Sequence, residues 1–150
     1  MDNSTIYPPT AFYFTVRFCG QSGISETSFK EVSGIKQTMN TKKVKELNGY
    51  EYSVPTGITY SNLVLKRGIA PVDSPLIKWC KSVFEGMFQN PICCMPLTVF
   101  LMDEQGSPLR GWTFSNAFPK VWEVGNFDSL KNEVAIETIE LEYQFLERIL

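Results

Sequence analysis

Residues 97–118 read LTVFLMDEQGSPLRGWTFSNAF, and their pattern is that of a hairpin. Leu97, Val99 and Leu101 alternate with their neighbours up to Asp103-Glu104-Gln105-Gly106, a cluster of turn formers. Trp112, Phe114 and Phe118 resume an apolar phase, with Thr113 and Ser115 on the other side. A period of two buries one face of a strand and leaves the other to water or to a neighbour. Two such runs across a short turn predict antiparallel β structure.

The same period recurs outward from this hairpin. Phe12, Phe14, Val16 and Phe18 alternate with Tyr13, Thr15 and Arg17. Pro8-Pro9 favours an extended arm over residues 1–10, and Gly20 to Gly23 reads as a turn. Phe29 and Val32 flank a short strand ended by Ser33-Gly34, and Leu63 and Leu65 mark another that ends at Gly68. Val121 to Val124 reads as a short strand before a loop at Gly125-Asn126. In the final run, 133–146, Val134 and Ile136 hold one phase, whereas Ile139, Leu141, Tyr143 and Phe145 hold the other. That slip predicts a bulge near Glu137-Thr138.

One segment has helical spacing. Leu76, Ile77, Cys80, Val83, Phe84 and Met87 follow a three-four rhythm, with Lys78, Lys81, Ser82 and Glu85 opposite. Ser74 is placed to cap this helix and Pro75 suits its first turn. The helix should run to about Phe88, with Asn90-Pro91 stopping it. The expected fold is mainly β: an antiparallel barrel or sandwich with one flanking α-helix, in a single domain spanning 1–150.

Residues 35–47, IKQTMNTKKVKEL, do not fit a half-buried strand. Neither face is cleanly apolar, so the segment must meet solvent, a partner chain or a lumen. Asn48-Gly49 is a turn signal, Tyr50-Glu51-Tyr52 follows it, and Pro55-Thr56-Gly57 reads as a break.

Composition narrows the function classes. The chain has 150 residues, 43% of them hydrophobic, enough for one packed core. Its net charge of −2 gives no global attraction to nucleic acid or anionic membrane. The start, MDNSTIYPPT, has no basic stretch followed by an apolar one, so no secretory leader is expected, and no apolar run is long enough to span a bilayer. The expected place of synthesis and folding is the cytoplasm, with Cys19, Cys80, Cys93 and Cys94 reduced. There is no histidine and no C-x-x-C pair, so zinc sites and histidine-activated nucleophiles are not expected.

The remaining candidates for chemistry read as surface or packing. Asp103-Glu104 falls in the hairpin turn. Glu140 and Glu142 share a face on one strand, and side chains of one strand project in parallel rather than converging across a cleft as a hydrolase pair must. Glycine-rich phosphate spacing is absent. Lys42-Lys43-Val44-Lys45 could touch nucleic acid, but it lacks an aromatic platform on its own strand, and an inter-subunit or solvated face fits it better. Trp79, Trp112 and Trp122 are scattered and suit core or interface packing. No catalytic, cofactor-binding or metal residue is expected.

Several motifs taken in order resemble the tail tube family of contractile phages and phage-tail-like extracellular injection systems. They are FYFTVRF (12–18), then Phe29, Glu31, Val32, Ser33, Gly34 and Ile35 as F-x-E-V-S-G-I, then ELNGYEYSVPTG (46–57). YSNLVLKRGI (60–69) follows, with a tryptophan-bearing helix from Leu76 to Trp79. Trp112, Phe114, Asn116, Ala117 and Pro119 form W-x-F-x-N-A-x-P, ahead of FDSLKNEVAIETIEL (127–141). The likeness covers nearly the whole chain, although the glycine pair usual in the third motif is Asn48-Gly49 here.

The resemblance implies a non-enzymatic subunit that forms homohexameric rings, stacked into a tube and made in the bacterial cytoplasm. It implies sheath, baseplate and spike proteins as partners and a lumen cargo of DNA or protein effector. The particle would be released or membrane-anchored, without insertion of the subunit itself. By position, Lys42, Lys43, Lys45, Glu46, Asn48, Gly49, Tyr50, Glu51 and Tyr52 are assigned to ring-to-ring stacking. Lys36, Gln37, Thr38, Asn40 and Thr41 are assigned to lateral or lumen contacts. Two alternatives stand beside this reading. One is a tube-initiator or baseplate ring protein of the same machine; the other is a small-molecule-binding β-barrel.

Overall fold

The computed structural model describes residues 12–18, 25–68, 74–89, 91–92, 94–125 and 135–150. The expected arm at 1–10, the turn at 20–23 and the loop from Asn126 lie outside the described residues. In chain order the elements are β1 (Tyr13–Phe18), β2 (Ser25–Phe29), β3 (Glu31–Ser33), β4 (Gln37–Lys45), β5 (Glu51–Tyr60) and β6 (Leu63–Gly68). Then come α1 (Pro75–Phe84), β7 (Met95–Met102), β8 (Pro108–Val124), β9 (Ile136–Glu142) and β10 (Phe145–Arg148). The fold is mainly β with antiparallel pairing and one helix, as the alternation predicts.

The strands roll into an eight-stranded sheet ordered β2-β1-β7-β8-β9-β6-β3, with β10 also on β8. Its two end strands are consecutive in sequence, separated only by Lys30. The Lys30 amide donates to the Lys66 carbonyl at 2.8 Å, so the chain itself carries the seam between the sheet's ends. The hydrogen-bonded ladder does not close into a full barrel.

Inside lie Val16, Phe18, Phe29, Leu63, Leu65, Leu97, Val99, Phe114, Ile139 and Leu141. These are the in-phase residues of their strands, and their burial supplies the main driving force for the roll. Helix α1 adds Leu76, Ile77, Trp79 and Cys80, with Trp79 meeting Phe18 edge-to-face at 5.7 Å.

Four boundaries differ from the sequence reading. The helix ends at Phe84, about a turn early: Met87 and Phe88 both adopt left-handed backbone (φ 49° and 59°) and cannot extend it. Ser74 begins the helix without a side-chain cap, because its hydroxyl accepts from Arg67 Nη2 at 3.0 Å. The runs at 112–118 and 121–124 are one 17-residue strand, β8, in which Pro119 and Lys120 are accommodated at a register shift. The interruption in the final run lies at Tyr143-Gln144, not at Glu137-Thr138. Glu137 is buried in the same phase as Ile139, where it accepts from Trp122 Nε1 at 3.1 Å.

Strands β8 and β9–β10 bend side by side. Asn116 takes φ 53°, and its side-chain amide donates to Gln144 Oε1 at 2.6 Å. The Gln144 amide donates to the Ser115 carbonyl at 2.9 Å. Beneath this corner Tyr143 packs edge-to-face on Phe114 at 4.8 Å and against Tyr60 at 5.7 Å.

Two expectations follow. Gly34 has φ 83°, and a Cβ there would run into the Asn62 carbonyl oxygen. Gly34→Ala should cost at least ~1–2 kcal/mol, seen as a lower denaturant midpoint. Burial holds the Tyr143 phenol above its ordinary value, with the Tyr60 phenol adding to the shift. The folded state therefore keeps this proton longer, so the site's contribution to stability is complete below about pH 10 and is lost as pH rises through the folded value. The buried Tyr143 hydroxyl has no hydrogen-bond partner among the described residues. Tyr143→Phe should thus leave neutral-pH stability within about 1 kcal/mol of the parent, or raise it, and flatten the alkaline loss measured by unfolding at pH 8 to 11.

Candidate functional site

Among the described residues, strands β4 and β5 pair with each other and with no other strand. The pairing runs from Gln37 opposite Tyr60 to Lys45 opposite Glu51. Asn48-Gly49 closes it: Gly49 takes φ 89°, Asn48 Oδ1 accepts from the Tyr50 amide at 3.2 Å, and the Glu46 amide donates to the Tyr50 carbonyl at 2.8 Å. Nearly every residue of both strands is exposed. A two-stranded hairpin is marginally stable alone in water.

The predicted break at Pro55-Thr56-Gly57 is instead a register shift inside a continuous strand: Pro55 faces Thr41, Gly57 faces Asn40, and Thr56 is the extra residue. Proline lacks the amide that a regular ladder needs, and a bulge is one of the few places a paired strand tolerates it. At the root, Tyr60 packs on Tyr143 and, at 6.2 Å, on Phe145, which ties the hairpin to the corner of the sheet.

All the residues assigned by position to assembly come together on this projection. Lys42, Lys43, Lys45, Glu51 and Tyr52 lie in its outer half, Glu46, Asn48, Gly49 and Tyr50 at its tip, and Gln37, Thr38, Asn40 and Thr41 in its root half with Lys36 just before it. Two apolar groups were not among them. Met39 and Ile58 face each other across the root half, 55% and 52% exposed. Val44 and Val54 belong to the outer half. The tyrosines at 50 and 52 and the even spacing of Tyr52, Val54, Ile58 and Tyr60 were the available signal.

The other candidates fall elsewhere. Asp103-Glu104 forms the β7–β8 turn, where Asp103 Oδ1 accepts from the Gln105 and Ser107 amides at 2.9 and 2.8 Å. Glu140 and Glu142 lie on the outer face of β9, bound to Asn62 at 2.8 Å and to Lys120 at 3.8 Å. A shallow cleft of about 460 Å³ crosses that sheet beside Glu31, Lys66, Glu123 and Thr138. Cys80 and Cys94 are free thiols, one buried and one exposed; Cys19 and Cys93 lie outside the described residues. Trp79 is buried, and Trp112 and Trp122 pack partly buried against the core.

The fold has close structural counterparts. One is a chain of an extracellular contractile injection system, in the PVC sheath–tube complex in its extended state. It superposes with a TM-score of 0.79 at 24% identity over 99% of this chain and 98% of that one. A chain of the anti-feeding prophage (AFP) baseplate gives 0.75 at 22%, over 95% and 96%. A type six secretion system protein gives 0.57 at 10%, over 92% and 83%. At these identities the likeness is one of fold. Among curated protein sequences none matches the chain significantly. The family model of the T4-like virus tail tube protein gp19 matches residues 10–147. With that match spanning nearly the whole chain, this protein belongs to the T4-like tail tube family.

Proposed function

We propose that this tail tube subunit folds as one domain over 1–150, assembles as homohexameric rings, and stacks those rings into the inner conduit of a contractile tail or injection particle. The observation that carries the reading is the β4–β5 hairpin, exposed on both faces and unpaired with the body. In a closed ring its surfaces meet neighbours, and repeated self-complementary contacts give a rigid tube without chemistry. Lys36, Gln37, Thr38, Asn40 and Thr41 serve lateral or lumen contacts, and Lys42 through Tyr52 serve stacking. The outer edge of β10, unpaired among the described residues and with Phe145 half-exposed, is a second surface that a neighbour would cover.

The resemblance to sheath–tube and baseplate chains supports a sheath around the tube and a baseplate beneath it. It fits assembly in the bacterial cytoplasm into a phage tail or injection particle, with DNA or protein effector as cargo. We assign the chain no reaction, in keeping with a structural family. The baseplate counterpart also fits a second reading, in which this chain forms an initiating ring present once per particle.

Replacing Gly49-Tyr50-Glu51-Tyr52 by a short Gly-Ser turn should leave the body folded, because that segment pairs only within the hairpin, and should stop ring stacking. Negative-stain electron microscopy with light scattering reads the result, and normal tubes from the variant would sink the assignment. Parent protein that polymerises alone marks the repeating subunit; parent rings that stay single mark the initiator.

A further inference from the structure

Asn48-Gly49 is the one Asn-Gly pair in the sequence, and it stands at the tip of the hairpin, where residues 46–50 are all exposed. A side-chain carboxamide is an electrophile, and the main-chain nitrogen of the next residue is a nucleophile within reach of it, closing a succinimide ring. Two things ordinarily hold this reaction back. A Cβ on the following residue crowds the attacking nitrogen, and the negative charge that develops on the carboxamide oxygen finds no donor. Neither holds at Asn48. Residue 49 has no Cβ, and the place where one would stand is empty to 4 Å. The Tyr50 amide donates to Asn48 Oδ1 at 3.2 Å, so a main-chain N–H already points at the oxygen on which charge develops, as donors do in an oxyanion hole.

One contact opposes the step. The Gly49 amide donates to the Glu46 carbonyl at 3.0 Å, and the nitrogen must leave that bond to attack. Both residues lie beyond the ends of β4 and β5, and exposed turns open locally at little cost in free energy. Asn40, on β4 of the same hairpin, supplies an internal reference: it is followed by Thr41, and its side-chain amide is bound to Thr59.

We propose that Asn48 is a self-modification site, which spontaneously loses its side-chain amide in the unassembled subunit. The Gly49 nitrogen gives its proton to solvent base and bonds to Cγ of Asn48; the Cγ–Nδ2 bond breaks, and Nδ2 leaves as ammonia with a proton from water. Water then opens the succinimide at either carbonyl. One opening gives aspartate; the other gives isoaspartate, in which the main chain runs through the former side chain. Either product is a carboxylate at neutral pH, and it adds a negative charge between Glu46 and Glu51. Isoaspartate also lengthens the main chain by a methylene inside the turn held by the Gly49-to-Glu46 and Glu46-to-Tyr50 hydrogen bonds. Resting on the tube reading, the converted tip no longer stacks, so the site sets how long a free subunit stays competent.

The test ages the full chain at neutral pH and about one unit above it. Its peptides are then mapped by mass spectrometry, with a separation that resolves aspartate from isoaspartate. Asn48 should convert at least tenfold faster than Asn40, with isoaspartate among the products and a rate that rises with hydroxide. The site is overturned if Asn48 stays as intact as Asn40, or if aspartate forms without isoaspartate, the mark of direct hydrolysis. Fresh protein, converted protein and protein aged equally long at about pH 6, where the nitrogen keeps its proton, are then compared by sedimentation and negative-stain microscopy. Stacked tubes should fall in proportion to the converted fraction and persist in the sample aged at the lower pH. Converted protein that stacks as well as fresh protein, or an equal loss in the low-pH sample, overturns the consequence for stacking and leaves the tube reading standing. Fresh protein that forms neither rings nor tubes sinks the tube reading, while the peptide map still decides the site.

Discussion

Two neighbouring strands turn one corner together, at Asn116 in β8 and at Tyr143-Gln144 between β9 and β10, and the rest of the molecule hangs on that bend. The first half of β8 pairs with β7 and β10, the second half with β9. Without a shared corner the two halves of the sheet could not face each other across one core. Asn116 adopts the left-handed backbone that asparagine tolerates better than most residues, and its side chain then spans to Gln144. The apolar underside of the corner, Tyr143 on Phe114 and Tyr60, also fixes where the hairpin leaves the body. The interaction that shapes the core therefore also aims the projection.

Buried polar groups mark a second organising point. Arg67 and Glu137 stand opposite each other on β6 and β9, both within the otherwise apolar phase. Arg67 lies 4.7 Å over the Phe29 ring and reaches Ser74 at the start of α1. Glu137 accepts a hydrogen bond from the indole N–H of Trp122. Charged groups inside need such partners to offset lost hydration. Here they connect the strand, the helix start and β8, so the helix is seated by polar as well as apolar contacts.

Most of the fold was legible because a half-buried strand announces itself by alternation. Val16, Phe18, Leu63, Leu65, Leu97, Val99, Ile139 and Leu141 are in phase in the sequence and buried in the structure. The errors arose where tertiary partners overrode local signals. Glu137 looked like a phase slip because its charge hides that it is inside. Pro55 reads as a break, and 112–118 and 121–124 read as separate runs around Pro119, because a proline's lost amide is harmless only where a bulge receives it. At the hairpin, polarity on both faces pointed to an uncovered element, whereas the register shift at Thr56 is one that no periodicity reveals.

The seam at Lys30 has a consequence for the order of events in the cell. The ends of the sheet are joined early in the chain, but the strand that unites them, β9, lies between β8 and β6 and follows both in the sequence. The hairpin is complete in sequence once Tyr60 leaves the ribosome, long before its own body can close. A nascent chain thus carries this exposed hairpin before the sheet beneath it is complete. Pairing of β1 with β7 and of β6 with β9 must each span about half of the polypeptide, which slows closure. Closure of the sheet therefore has to wait for β9, well after the hairpin has been made.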